Sequence, residues 1–313
     1  MIRVLDGIDA FLDQLTAVDP LPVLLAVLAQ LAKLTCTSMA WRNVLAAAYP
    51  HEVVRRRSIV GAYLAGVGVN AIVPLRAGDA VRVLLAHRAI VGSTYTTVVA
   101  STLVLSIFDI AAASALLAWA ALTQDALPGL GDLPDLPSFD FSWFLDRPLV
   151  ADLVLAALVV AAVVVGIWIH GHVIDFWGRV RQAFAVVRRP ALYVRTVAFW
   201  QAGDWIFRFV AIWFLLDAFN IPQTFENVLL VQVSASIATL LPLTPAGIGT
   251  EQAFLLYVFQ GTVPSSKLLA FSVGLKFMTI GTNVVAGFAA IAITLRTLRY
   301  SKALVPTEDA PSP

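Results

Sequence analysis

Seven ionisable residues of this 313-residue chain fall inside or beside apolar stretches: Arg76, Asp79, Arg82, Asp109, Asp204, Arg208 and Lys276. A charge in such a setting is costly unless it is paired or hydrated, and it marks a functional site by default. Asp79 and Arg82 are three apart, so a helix starting at Gly78 puts them on one face, and Asp204 and Arg208 share a face at i, i+4. Asp79 then lies in a first helical turn, where the helix dipole favours an anion, and Gly78 permits the backbone conformation of a tip. Two readings of this cluster stand side by side. Arg76 or Arg82 receives a phosphate-bearing anion, which suits the planar guanidinium fork, or Asp79 and Arg82 neutralise each other to lock a turn. Further on, Gly247 and Gly249 flank Ile248 after Pro242 and Pro245, with Glu251 just beyond. Backbone N–H groups at such a helix start hold a phosphate- or carboxylate-sized anion, and Glu251 either caps that helix internally or contacts the ligand. Arg76, Arg82, Arg208 and Lys276 together predict a hydrated cationic cavity, with Asp79, Asp109 and Asp204 as internal partners.

Other chemistries find little support. His170-Gly-His172 has no clear third metal ligand nearby, and Thr102 and Ser106 have no adjacent histidine for nucleophilic catalysis. The single cysteine, Cys36, excludes an intramolecular disulfide framework. The short Gly-x-Gly lacks the βαβ surroundings of a nucleotide fingerprint. No cofactor and no metal are expected. A formal net charge of +1 gives no global basic field for nucleic acid.

The elements that position these charges are hydrophobic. Hydrophobic residues make up 59% of the chain, charged residues 13%, and mean hydropathy is +0.84, which points to an integral membrane protein. Unbroken apolar runs of spanning length cover 21–41, 98–122, 149–169, 196–216 and 268–295. Two further apolar regions, 58–91 and 227–261, break at Pro/Gly elbows, Ala71-Ile-Val-Pro-Leu-Arg-Ala-Gly-Asp-Ala-Val-Arg82 and Leu240-Leu-Pro-Leu-Thr-Pro-Ala-Gly-Ile-Gly-Thr-Glu251. Interrupted segments at matching places of two halves point to a transporter's binding site.

Loop charge orients the chain. Arg42, Arg55, Arg56 and Arg57, then Arg179, Arg181, Arg188, Arg189 and Arg195, then Arg296, Arg299 and Lys302 mark three cytoplasmic stretches. The loops 123–146 and 217–226 are acidic and face outward. Each broken region then enters and leaves on one side, as a re-entrant helical hairpin. The expected fold is an all-α integral membrane protein with about five transmembrane helices plus two re-entrant helical hairpins arranged as inverted repeats. The halves are 21–122 and 196–295 within one transmembrane domain, 21–295, with 149–169 as the linking span. Residues 1–20 form an extracytoplasmic segment; Asp6, Asp9, Asp13 and Asp19 against Arg3 do not make a cleavable signal. Residues 174–193 read as an interfacial amphipathic segment on anionic headgroups or as a plain basic loop, and 296–313 as a disordered cytoplasmic tail. The spacing of the halves agrees: Asp109 lies 35 residues after Pro74, and Lys276 lies 34 after Pro242.

Tyr63-Leu-Ala-Gly-x-Gly-x-Asn70, Val73-Pro-Leu-Arg-Ala-Gly-Asp-Ala-Val-Arg82 and Ala100-Ser-Thr to Asp109 resemble the lysylphosphatidylglycerol synthase transmembrane-region family. Leu241-Pro-Leu-Thr-Pro-Ala-Gly-Ile-Gly-Thr-Glu-Gln-Ala253 is similar to that family's second signature. Leu105 and Ser106 stand where a Glu-Arg pair is frequent, Ala246 where glycine is usual, and Lys276 where arginine is common. The resemblance implies a flippase-like domain of the cell membrane that moves anionic or amino-acylated phospholipids, or lipid-linked precursors, between leaflets. It also implies no synthesis, because the family's soluble aminoacyltransferase domain has no counterpart here. Two rivals remain: a membrane-embedded enzyme acting on polyprenyl-phosphate-linked glycan precursors, and an accessory subunit of a cell-envelope synthase. The expected partners are membrane lipid, no nucleic acid, and a second copy or such a synthase.

Overall fold

The structure, a computed structural model, describes residues 18–73, 76–122, 176–240, 250–259 and 262–303. These residues are overwhelmingly helical. Helix α1 spans Pro20–Ala48, α2 Arg56–Ile72, α3 Ala77–Ala89 and α4 Tyr95–Leu122. Residues 176–183 form α5. A 3₁₀ turn at Phe184–Val186 follows, then α6 over Pro190–Tyr193 and a wide π turn at Val194–Ala198 leading into α7, Phe199–Ala218. Helix α8 is Phe225–Leu240, α9 Thr250–Val258 and α10 Ser265–Ala303.

Local chemistry sets several of these boundaries. The Asp19 carboxylate accepts from the Leu21 N–H at 3.1 Å, ahead of proline in the first turn of α1. The π turn leaves the Thr196 carbonyl available, and the Asn43 side-chain amide donates to it at 2.7 Å. Helix α10 continues to Ala303, into the stretch expected to be a disordered tail. The expected amphipathic segment 174–193 is not one continuous helix: it is helical over 176–183, passes through the 3₁₀ turn at Phe184–Val186 and restarts at Pro190, where the residue before proline is disfavoured in the helical conformation.

Among the described residues, three helices are long and apolar enough to cross a membrane: Pro20–Ala48, Tyr95–Leu116 and Ser265–Ile293. Each presents an exposed apolar stripe at helical spacing, Leu21, Leu24, Leu28 and Leu31 on α1 and Val99, Leu103, Ile107 and Ile110 on α4. Exposed stripes of this size suit lipid rather than water. The run 149–169 and the acidic loop 123–146 lie outside the described residues.

Helices α1 and α7 form the centre. They run antiparallel, because Asp19 N–H donates to the Ala218 carbonyl at one end while Asn43 reaches Thr196 at the other. Both broken regions appear as helix–break–helix units, α2–α3 and α8–α9. One apolar core joins the C-terminal half of α1 to α2, α3 and α4 through Trp41, Ile59, Ala86 and Val98. A second joins the start of α1 and the end of α7 to α8, α9 and α10 through Ala26, Leu215, Val231, Leu255 and Phe271. The two units therefore pack at opposite ends of the central pair.

Exchanging α1–α4 with α7–α10 maps the packing onto itself. Helix α1 packs on α2 as α7 does on α8, α3 on α4 as α9 on α10, and α2 on α10 as α8 on α4.

Candidate functional site

The first elbow is held together by glycine and one asparagine. A Cβ on Gly78 would overlap the Gly66 carbonyl oxygen, so the arms α2 and α3 touch through backbone. The Asn70 side chain crosses the gap, accepting from Gly78 N–H at 2.7 Å and donating to Asp79 Oδ1 at 2.9 Å. Helix α3 begins at Ala77, one residue before the expected start, and Arg76 before it takes the left-handed conformation with φ 56°. The tip's unusual backbone thus falls on Arg76, while Gly78 serves close packing instead. A non-glycine residue held there is strained, which is a feature of functional turns.

Arg82 lies one turn into α3. Its guanidinium is 3.4 Å from Asp79 Oδ1 and stands over the rings of Trp41 at 5.7 Å and Tyr63 at 6.0 Å. Its Nε is buried and has no acceptor among the described residues. The Trp41 indole is fixed by donating to Ser101 Oγ at 2.8 Å. Asp79 and Arg82 line a cleft of about 420 Å³ together with Val83, Tyr95, Val99 and Thr102. That cleft opens between α3 and α4 beside their exposed apolar stripe.

A second cluster occupies the crossing of α1 and α7. Asp204 is almost fully buried, accepting from the Thr37 hydroxyl through one oxygen and from Arg208 at 2.7 Å through the other. Arg208 stacks 4.8 Å from the Trp205 ring centre, and its Nε is buried without an acceptor among the described residues. The Trp205 indole donates to Asp109 Oδ1 at 3.0 Å, which ties α4 to α7. Lys33 of α1 stands within electrostatic range of Asp109, Asp204 and Arg208. Tyr63 faces Thr37, Asp204, Arg82 and Arg208, and so lies between this cluster and the first elbow. Outside the membrane-spanning helices, burial and the Asp109 charge push the Tyr193 hydroxyl above its usual pKa.

In the third cluster, Glu251 in the first turn of α9 forms an ion pair with Lys276 of α10. Of the sequence-derived set, Asp79 and Arg82 come together, as do Asp109, Asp204 and Arg208, and Glu251 joins Lys276. Arg76 stands at the tip without an ion pair among the described residues. Gly247 and Gly249 lie outside the described residues, as do His170 and His172. Sequence reasoning passed over Lys33, Thr37 and Trp205. Lys33 had a signal, since it is the sole charged residue in the apolar run 21–41. Among the described residues, no group of three His, Cys, Asp or Glu side chains could hold a metal ion.

The arrangement sets guanidinium and ammonium groups beside matched acids, and at Arg82 it does so on a cleft next to the exposed apolar stripe of α4. The family model described as "Lysylphosphatidylglycerol synthase TM region" matches residues 2–287 of the chain. No curated protein and no solved structure matches it.

Proposed function

The chain belongs to the lysylphosphatidylglycerol synthase TM-region family, and from that premise we propose that it translocates a phosphate-bearing lipid between membrane leaflets. The substrate is an anionic or amino-acylated phospholipid or a lipid-linked precursor. The observation that carries this reading is Arg82. Its Nε is buried without an acceptor among the described residues, its guanidinium stands over two aromatic rings, and it lines a cleft between α3 and α4 beside the exposed apolar stripe of α4. A headgroup phosphate would supply the missing acceptor while its acyl chains stay beside the exposed stripe of α4.

In this account the two helix–break–helix units are re-entrant hairpins of inverted repeats. Their packing at opposite ends of the antiparallel α1–α7 pair supports that arrangement, as does the exchange symmetry of the helix contacts. Five spans, an outward N-terminus, a cytoplasmic C-terminus and the cell membrane complete the proposed topology, with a second copy or an envelope synthase as partner. Alternate opening of the hairpins would expose the headgroup to each leaflet. The test is reconstitution with a labelled anionic phospholipid. Leaflet exchange should be faster than in protein-free vesicles and slower in Arg82→Ala of equal melting temperature, while equal rates in all three samples refute it.

The family description also names a synthase, which favours an enzymatic second reading, and the Arg82 site would equally suit an enzyme or accessory subunit acting on polyprenyl-phosphate-linked glycan precursors. Product formation in detergent, where no leaflets exist, would replace the first reading with this one.

A further inference from the structure

Residues 176–203 carry Arg179, Arg181, Arg188, Arg189 and Arg195 and no acidic residue. All five arginines are exposed, and none is in an ion pair among the described residues. The translocation reading gives them no part. Interleaved with them, Phe176, Trp177, Leu192 and Phe199 are also exposed. Arginine mixed with exposed aromatic and aliphatic side chains suits a boundary between hydrocarbon and headgroups better than water alone.

The fold holds this segment at such a boundary, because it is fastened to the ends of two helices long enough to span. Gln182 donates to the carbonyl of Ala48, the last residue of α1, at 2.9 Å. Thr97, near the start of α4, donates to the Arg179 carbonyl at 3.3 Å. Val186 and Val197 are buried in the core shared with α1–α4, which leaves the arginines on the outer side. Within that surface Ala191, Leu192, Arg195 and Thr196 line a cleft of about 440 Å³ beside the π turn. Thr196 is fixed there, its hydroxyl donating to the Leu192 carbonyl at 2.7 Å and its own carbonyl accepting from Asn43. A phosphate in this cleft would meet the guanidinium fork of Arg195, and its acyl chains would meet the exposed side of Leu192. An acidic protein would answer the charge equally well, but not the exposed Trp177 and Leu192 at the edge of spanning helices.

We propose that residues 176–199 bind anionic phospholipid headgroups of the leaflet they border, with one headgroup seated in the Arg195 cleft. This lipid is held beside the bundle and is separate from any that enters the Arg82 cleft, with which the Arg195 cleft shares no lining residue. The inference stands whether or not lipid crosses through the protein.

The test places the full chain in phosphatidylcholine nanodiscs carrying a trace of photoactivatable phosphatidylglycerol, with photoactivatable phosphatidylcholine as the neutral control, and maps labelled peptides by mass spectrometry. Phosphatidylglycerol should label 176–199 several-fold more than the control does. Arg195→Gln should lower that labelling about fivefold, the scale of one arginine at an anionic surface, and Arg195→Lys should fall between the two. Because Arg195 is exposed and has no ion pair among the described residues, Arg195→Gln should melt with wild type. Labelling at 76–102 in the same sample should be unchanged. Raised salt should lower the wild-type labelling of 176–199, a readout that needs no variant. Equal labelling of 176–199 by the two lipids, or full labelling in Arg195→Gln, overturns the proposal. A parallel loss at 76–102 also overturns it, since the two clefts would then act as one site. Labelling of 176–199 by neither lipid overturns it in favour of a water-facing surface open to an acidic protein. The expected labelling without leaflet exchange by wild-type vesicles would uphold this site and refute translocation.

Discussion

The two helix–break–helix units solve the same problem in opposite ways. The first is closed upon itself: Gly66 meets Gly78, Asn70 spans both arms, and Asp79 pairs with Arg82 within α3. Its contact with the last helix is backbone against backbone, with a Gly68 Cβ placed only 2.6 Å from the Gly287 Cα. The second unit sends its charge outward, from Glu251 of α9 to Lys276 of α10. The Asp79–Arg82 pair lies within one helix, so moving the first unit as a whole would not separate it. Separating α9 from α10 would strand both Glu251 and Lys276. The second unit is thus tied to the last helix by charge, and the first by close glycine packing.

The comparison breaks most visibly at Gly78. Gly78→Val should destabilise the protein by about 3 kcal/mol through overpacking of the tip, read as a lower melting temperature in detergent. A melting curve equal to wild type would mean that the arms do not touch. Next comes the anchored unit. Glu251→Gln should cost about 2 kcal/mol, a figure reduced from the usual cost of a broken buried pair because Lys276 is partly exposed. The double variant Glu251→Leu with Lys276→Met should recover most of that loss, and additive losses in the double-mutant cycle would contradict the pairing. The smallest effect belongs to the self-closed unit. Asp79→Asn should cost below about 1 kcal/mol, because Asp79 is about a third exposed and its amide still meets Asn70. If Asp79→Asn costs more than Glu251→Gln, the ranking of the two pairs reverses.

The runs 21–41, 98–122 and 268–295 were legible as long apolar helices because span length and capping are local properties. The run 21–41 became α1 with its start at the Asp19-Pro20 pair, and the break near Pro74 separated α2 from α3. The i, i+3 and i, i+4 pairs were legible for the same reason, and both formed. The role of Gly78 was not, because its reason is Gly66, twelve residues earlier and on the other arm. Nor could spacing reveal that Glu251 pairs with Lys276 across two helices, or that Thr37 caps Asp204.

The central claim is that lipid crosses through this fold. Its most direct measurement uses vesicles carrying a fluorescent phosphatidylglycerol in both leaflets, bleached from outside by a membrane-impermeant reductant. With wild-type protein the account predicts that bleaching continues until the inner-leaflet probe is also lost, and that Arg82→Ala slows this second phase. Bleaching that stops at the outer-leaflet share, with and without protein, would contradict it.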